Sequence, residues 1–288
     1  MEIIYTRNSE DIAKLVAKEL SLSAFPANVR SFSDGEICIS LGKAFWDVVV
    51  ITSTPNHNAW IELFLLLDAL RSSKRVALCM TYMGYARQDK QHENESFGAG
   101  LFARLLEATN ISHSIIIDNH GESLLRVPTF HLSARQIFEI DVARRYSPDQ
   151  IVIVSPDIGG AHRADAFSRS LKCDFAICNK ARNVFGELKK VDRLGNVNSK
   201  ICVLVDDMVD SGATLCYASE LLLKSGSNGV VAYCTHGVLS DGAVERLDKS
   251  AITEIVLTDS IAHSKRLPPK FRKLSISSLI AEAIRCIV

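Results

Sequence analysis

The chain has 288 residues, in which 33 lysines and arginines balance 33 aspartates and glutamates, with 47% hydrophobic and 23% charged residues. This length suits one large or two ordinary domains with a full core, and the composition is that of a globular rather than a disordered chain. A net charge of zero removes the electrostatic case for generic nucleic-acid binding, and no uncharged apolar run reaches the ~18 residues that a membrane span needs.

In chain order, residues 1–7 show no basic stretch followed by an apolar one, so no secretory signal is expected. The eight cysteines include no Cys-x-x-Cys pair, which argues against a zinc site and for reduced thiols in a cytoplasmic setting. Short apolar runs predict strands at 2–6, 47–52, 76–81, 114–118, 151–154, 174–178, 201–206, 229–235 and 254–258. They are mostly continuous rather than alternating, as in parallel strands covered on both faces. Helical spacing appears between them, in Ile12, Leu15, Val16 and Leu20, in Leu101, Leu105 and Leu106, in Leu221, Leu222 and Leu223 before Gly226, and again over 274–288. The segment 57–72 is apolar on nearly every face and is expected to be buried against another domain or subunit. The alternation predicts an α/β fold with right-handed crossovers and sites at the carboxyl ends of strands. The weakest join, around Tyr146-Ser147-Pro148-Asp149, divides the chain into near-equal halves.

The most informative stretch is Val203-Leu204-Val205-Asp206-Asp207-Met208-Val209-Asp210-Ser211-Gly212-Ala213-Thr214-Leu215. An apolar run ends in two acids, a loop of small residues follows, and then a helix begins. Backbone amides in a tight turn ahead of a helix form an anion nest that the helix dipole reinforces. Asp210, Ser211, Gly212, Ala213 and Thr214 are therefore a candidate phosphate cradle, with Gly212 able to take positive φ at little cost. Asp206 and Asp207, expected at a strand end, can accept from vicinal ribose hydroxyls or bind Mg²⁺ through water. The stretch resembles the phosphoribosyl pyrophosphate signature shared by phosphoribosyltransferases and ribose-phosphate pyrophosphokinases, and does not choose between them.

Other segments bear on that choice. Phe32-Ser33-Asp34-Gly35-Glu36 reads either as a surface turn shaped by Gly35 or as an aromatic face with two acceptors for an adenine amine. In Tyr85-Ala86-Arg87-Gln88-Asp89-Lys90, Arg87 offers a fork for phosphate oxygens and Gln88 a neutral donor, unless Arg87 and Asp89 form only a solvated pair. Asp118-Asn119-His120 follows an apolar run, which places His120 at a strand end. The glycines of Ser155-Pro156-Asp157-Ile158-Gly159-Gly160 leave backbone open to a ligand. Lys180-Ala181-Arg182 precedes a polar stretch, 183–200, that reads as an exposed loop or as a cationic lid over polyphosphate.

In this order the segments resemble the ribose-phosphate pyrophosphokinase (phosphoribosyl pyrophosphate synthetase) family. The resemblance implies an α/β protein of two tandem phosphoribosyltransferase-like domains, each a mainly parallel sheet flanked by helices. Residues 1–146 would form the ATP-binding domain and 147–288 the ribose-5-phosphate-binding domain, with the last helix, 275–288, able to return to the first. The activity implied is transfer of the pyrophosphoryl group of ATP to the C1 hydroxyl of ribose 5-phosphate, giving 5-phosphoribosyl 1-pyrophosphate and AMP for nucleotide biosynthesis. By the same resemblance Phe32, Asp34, Gly35, Glu36, Arg87 and Gln88 bind ATP, and His120 and Asp157 hold the Mg²⁺ cofactor. Lys180 and Arg182 are catalytic, and ribose 5-phosphate lies on Arg182, Asp206, Asp207, Asp210, Ser211, Gly212, Ala213 and Thr214. A homo-oligomer, dimer or hexamer, is implied by the family's use of the Phe32–Glu36 segment in a neighbour's ATP site. Residues 91–98 depart from the family, carrying acids and no proline where its regulatory region is basic. A phosphoribosyltransferase and a catalytically silent relative are the alternatives.

Overall fold

The computed structural model describes residues 1–121, 125–178, 181–182, 188–189 and 196–287. Its contacts divide the chain into two compact units, Met1–Ser133 with Asp259–Ala262 and Ser275–Val288, and Ala134–Thr258 with His263–Leu274.

The first unit is built on a parallel sheet of β1 (Glu2–Tyr5), β2 (Ala24–Pro26), β5 (Asp47–Ser53), β6 (Arg75–Tyr82), β7 (Ile111–Ile117) and β8 (Thr129–Leu132), in the order β2-β1-β5-β6-β7-β8. Val48–Ile51 and Leu78–Met80 are fully buried, which explains their unbroken apolar runs. Helix α1 (Glu10–Leu20) buries Ile12, Ala13, Val16 and Ala17, carries Glu10 and Asp11 in its first turn, and closes on Ser21 in the left-handed region at φ 54°. It packs with α8 (Ser277–Ile287), whose Ser277 hydroxyl donates to the Glu19 carboxylate and whose Arg285 donates to the Glu19 carbonyl at 3.1 Å.

Helix α2 (His57–Ala69) starts at Asn56, whose side chain accepts from the Ala59 amide at 3.0 Å. Trp60, Leu63, Leu66 and Leu67 are buried, while Ile61 and Leu65 are 53% and 36% exposed, so the chain itself covers one side of this helix only. Helix α3 (Gly98–Glu107) likewise exposes Leu101 and Leu105. A separate antiparallel hairpin pairs β3 (Asn28–Ser31) with β4 (Ile37–Ser40).

The second unit repeats the plan with β9 (Ile151–Ser155), β10 (Asp174–Ile177), β13 (Ile201–Val209), β14 (Gly229–Gly237), β15 (Glu254–Thr258) and β16 (Phe271–Leu274), all parallel, in the order β10-β9-β13-β14-β15-β16. Its helices are α4 (Arg135–Arg145), α5 (Ala161–Leu171), α6 (Ala213–Lys224) and α7 (Ala243–Asp248). A short antiparallel pair joins β11 (Ala181–Arg182), just before the stretch read as a loop, to β12 (Leu188–Lys189) within it.

Contacts place α4 in this unit although it precedes the join expected near residue 146. Phe138 and Val142 are buried, with the Phe138 ring edge-on to Tyr233 at 5.4 Å. The Asp141 carboxylate accepts from Tyr233 at 2.7 Å and from both terminal nitrogens of Arg272 at 2.9 and 2.6 Å. Burial pushes the Asp141 carboxyl up, but the bonds from Arg272 and Tyr233 outweigh it and leave the pKa lowered. Asp141→Ala is expected to cost about 2 kcal/mol, less than the ~3–5 of a fully buried pair because the side chain keeps 18% of its exposure. Urea denaturation tests this, and an unchanged midpoint would count against a structural role for the pair.

Candidate active site

The second sheet changes direction at β9, with β10 on one side and β13 on the other. A crevice opens at the carboxyl ends of strands at such a switch point. Here it is deepened because β13 outruns β9. Their pairing stops at Leu204 opposite Val154, while β13 continues beside β14 to Val209 opposite Gly237. Asp206 and Asp207 thus lie inside a strand longer than the predicted 201–206, but in the part with a neighbour on one side only.

Beside them β9 gives way to the Ser155–Gly160 turn. The Ser155 hydroxyl donates to the Asp157 carbonyl at 2.7 Å, and the Gly160 amide donates to Asp157 Oδ1 at 3.0 Å. Gly160 is close-packed: a Cβ on it would come within 2.8 Å of Ser155 Oγ and 3.8 Å of Asp206 Oδ1.

Arg163, in the first turn of α5, was not among the sequence candidates, yet it reaches both acids. Its Nη1 lies 3.1 Å from Asp206 Oδ1 and its Nη2 3.4 Å from Asp207 Oδ2. The signal that could have found it is electrostatic. Two adjacent acids, one of them (Asp207) only 4% exposed, call for a counter-charge. Even so, burial and the Asp207 carboxylate raise the Asp206 carboxyl to about 8, with Asp157 adding to the rise and Arg163 opposing it.

The anion turn follows. Gly212 takes φ +73° and caps α6, the Ala213 amide donates to Ser211 Oγ at 3.4 Å, and the first turn of α6 carries no acid to oppose an anion. Ser211 and Ala213 are exposed, and Asp210 and Thr214 are half-buried. Asp206 and Asp207 near the end of β13 and the turn 210–214 opening α6 are thus consecutive parts of one strand–turn–helix.

In the first unit, two candidate segments meet. Asp89 lies directly over Gly121, where a Cβ would come within 2.4 Å of its carboxylate. This sets the Tyr85–Lys90 segment against the loop holding His120. Both carry backbone strain, Tyr85 at φ +65° and Asp118 at φ +35°. Arg87 and His120 are exposed. Gln88 is engaged locally, its side chain against Gly98 and accepting from Ser96 at 3.4 Å. The Phe32–Glu36 segment forms the tip of the β3–β4 hairpin, where Gly35 takes φ +94° and the Phe32 amide donates to the Glu36 carbonyl at 2.8 Å. Asp34 accepts from the Glu36 amide at 3.0 Å, so it shapes the turn. Phe32 is 44% exposed, with the Arg30 guanidinium 4.9 Å above its ring.

Lys180 lies outside the described residues, as does most of the lid stretch. Arg182 stands in β11 opposite Leu188.

Among the described residues, no three His, Cys, Asp or Glu are arranged to hold a metal by themselves. The donor chemistry nevertheless fits Mg²⁺. The mutual repulsion of Asp157, Asp206 and Asp207 is relieved by a hard cation taking carboxylate oxygens and water. The Asn119 side-chain oxygen, next to His120, is buried with no partner among the described residues.

Two parallel sheets flanked by helices, the second with an acid pair and an anion turn at its switch point, define an α/β enzyme of the phosphoribosyltransferase-like class. The family model described as the N-terminal domain of ribose phosphate pyrophosphokinase matches residues 1–109, and that of the phosphoribosyl synthetase-associated domain matches residues 186–288. The chain is 37% identical to a ribose-phosphate pyrophosphokinase of Rhizobium meliloti (strain 1021) and 38% identical to one of Brucella melitensis biotype 1, over 99% of this chain and 96% of each relative. The crystal structure of phosphoribosylpyrophosphate synthetase from Mycobacterium smegmatis matches it with a TM-score of 0.89 at 30% identity, over 100% of this chain and 99% of that one. The chain belongs to the ribose-phosphate pyrophosphokinase family.

Proposed function

We propose that this enzyme transfers the pyrophosphoryl group of ATP to the C1 hydroxyl of ribose 5-phosphate, releasing AMP. The observation that carries the reading is the acid pair held beside an anion turn in the second unit, in a chain that aligns with pyrophosphokinases over nearly its whole length. In this reading the turn Asp210–Thr214 receives the 5-phosphate, and Asp206 and Asp207 accept from the ribose hydroxyls. The C1 oxygen attacks the β-phosphorus, the bond from that phosphorus to the α-bridging oxygen breaks, and AMP departs. Such a transfer rests on in-line positioning and on neutralising charge at the equatorial oxygens. Lys180 and Arg182 supply fixed cations for that purpose. Arg87 and Gln88 bind the polyphosphate end of ATP, and Phe32 offers its ring face to adenine with Asp34, Gly35 and Glu36 shaping that contact. Mg²⁺, with His120 and Asp157 as its proposed protein ligands, would neutralise polyphosphate charge when bound.

The exposed Phe32 tip and the exposed Ile61, Leu65, Leu101 and Leu105 favour a homo-oligomer, dimer or hexamer, in which ATP sites are shared between subunits. No helix of the described residues is long and apolar enough to cross a membrane, and the eight cysteines are free thiols, which favours a cytoplasmic enzyme.

Purified protein with Mg²⁺, ATP and ribose 5-phosphate is expected to yield AMP in equal amount with 5-phosphoribosyl 1-pyrophosphate. Formation of ADP would point to γ-phosphoryl transfer instead, and consumption of the sugar pyrophosphate with a nucleobase to a phosphoribosyltransferase.

A further inference from the structure

The anion turn rests against α7. Leu247 is fully buried and lies against Gly212, where a Cβ would come within 2.7 Å of its Cγ. One residue earlier, Arg246 donates from Nη1 to the Ser211 carbonyl at 2.5 Å. The Arg246 carbonyl in turn lies 3.9 Å from the Cys216 thiol, in the first turn of α6. Helix α7 is itself pinned, because Lys270 Nζ donates to the carbonyls of Leu247, Asp248 and Ser250 at 2.9, 2.9 and 2.8 Å.

This arrangement fixes the orientation of one peptide group. A trans peptide holds its C=O and N–H on opposite sides. With the Ser211 carbonyl drawn toward Arg246, the Gly212 amide points away from that guanidinium. Gly212 at φ +73° then begins the run of amides that opens α6, and such amides are the donors of an anion nest. Arg246 is exposed, so its charge is not needed inside the core.

We propose that Arg246 is a positioning residue for sugar-phosphate binding: it clamps the Ser211 carbonyl and thereby aims the Gly212 amide at the 5-phosphate. It acts through the turn rather than on the substrate, and the inference rests on the reading of residues 210–214 as the ribose-5-phosphate cradle.

The test compares Arg246→Ala and Arg246→Lys with wild type. In the alanine variant the KM for ribose 5-phosphate is expected to rise about 10-fold, while kcat and the KM for ATP stay within about 2-fold. Lysine, which keeps a cationic donor, is expected to recover most of the loss. Calorimetric titration of ribose 5-phosphate into enzyme holding Mg²⁺ and α,β-methylene ATP gives the affinity without turnover and should weaken in parallel. An unchanged KM for ribose 5-phosphate in the alanine variant overturns the proposal. Equal rises in both KM values with a lowered thermal midpoint also overturn it, since they would make Arg246 a general support of the fold. Wild-type enzyme that fails to bind ribose 5-phosphate removes the cradle reading itself, and this inference with it.

Discussion

Lys180→Ala is expected to lower kcat at least ~100-fold, because removing one fixed donor from a pre-organised site typically costs 10²–10³. Affinity for ribose 5-phosphate should hardly change, since the turn 210–214 and the acid pair belong to other elements of the second unit. The last described residue before Lys180, Cys178, donates its amide to the Ser155 carbonyl at 2.8 Å. A group whose work is confined to the transition state lowers kcat and kcat/KM together. Steady-state kinetics with an unchanged kcat would remove Lys180 from the catalytic assignment. A selective rise in the KM for ribose 5-phosphate would reassign it to substrate binding.

Arg163→Met should produce a loss that depends on pH. The guanidinium lowers the Asp206 carboxyl, which burial and Asp207 otherwise raise. Its removal sends that pKa further up, so a smaller share of Asp206 is ionised at neutral pH to accept from the ribose hydroxyls proposed to lie there. A protonated carboxyl accepts fewer hydrogen bonds from hydroxyls than a carboxylate does. The variant is expected to lose about 100-fold in kcat/KM for ribose 5-phosphate near pH 7, comparable to losing a charged hydrogen bond, and to regain much of it as pH rises above the new pKa. The sign is fixed by the charge removed: without the cation, ionisation needs a higher pH. The measurement is the pH profile of kcat/KM for both proteins. A uniform loss at every pH would mean that Arg163 only holds the fold. A profile shifted to lower pH would contradict the electrostatic account outright.

The strands that the sequence reveals are those buried on both faces. The runs around Val48–Ile51, Leu78–Met80 and Val203–Val205 are apolar without interruption because helices cover both sides of each sheet. Three of the four sheet edges are hidden, the exception being β10, whose Phe175–Ile177 run is legible. Residues Ala24–Pro26, Thr129–Leu132 and Phe271–Leu274 each pair on one side only, so nothing forces a continuous apolar run. Ends are hidden too. Nothing in Met208 and Val209 says that β13 outruns β9, because that depends on where β9 turns away, some fifty residues earlier by the register at Leu204 and Val154.

At the site, legibility follows the backbone. Gly212, Gly35 and the Asp206–Asp207 pair could be read because turns and phosphate cradles demand particular residue types at fixed spacing. Arg163 and Arg246 could not. Each is an isolated arginine on a helix whose meaning arises only when the fold sets it against a partner 43 or 35 residues away. The outer side of α2 is illegible for a related reason. Periodicity shows that Ile61 and Leu65 are apolar, but not what covers them.

The order of synthesis gives the α1–α8 contact a further meaning. Glu19 of α1 and Ser277 of α8 stand 258 residues apart, yet both helices belong to the first unit, and the apolar faces of Ile12 and Val16 on one helix and Ile280 and Ile284 on the other are buried there. That unit therefore stays unfinished until α8 has been made, with α1 awaiting its partner. The second unit, whose segments all precede α8, can close while the first waits. Completion of the first unit is thus a timed event, gated by the arrival of α8.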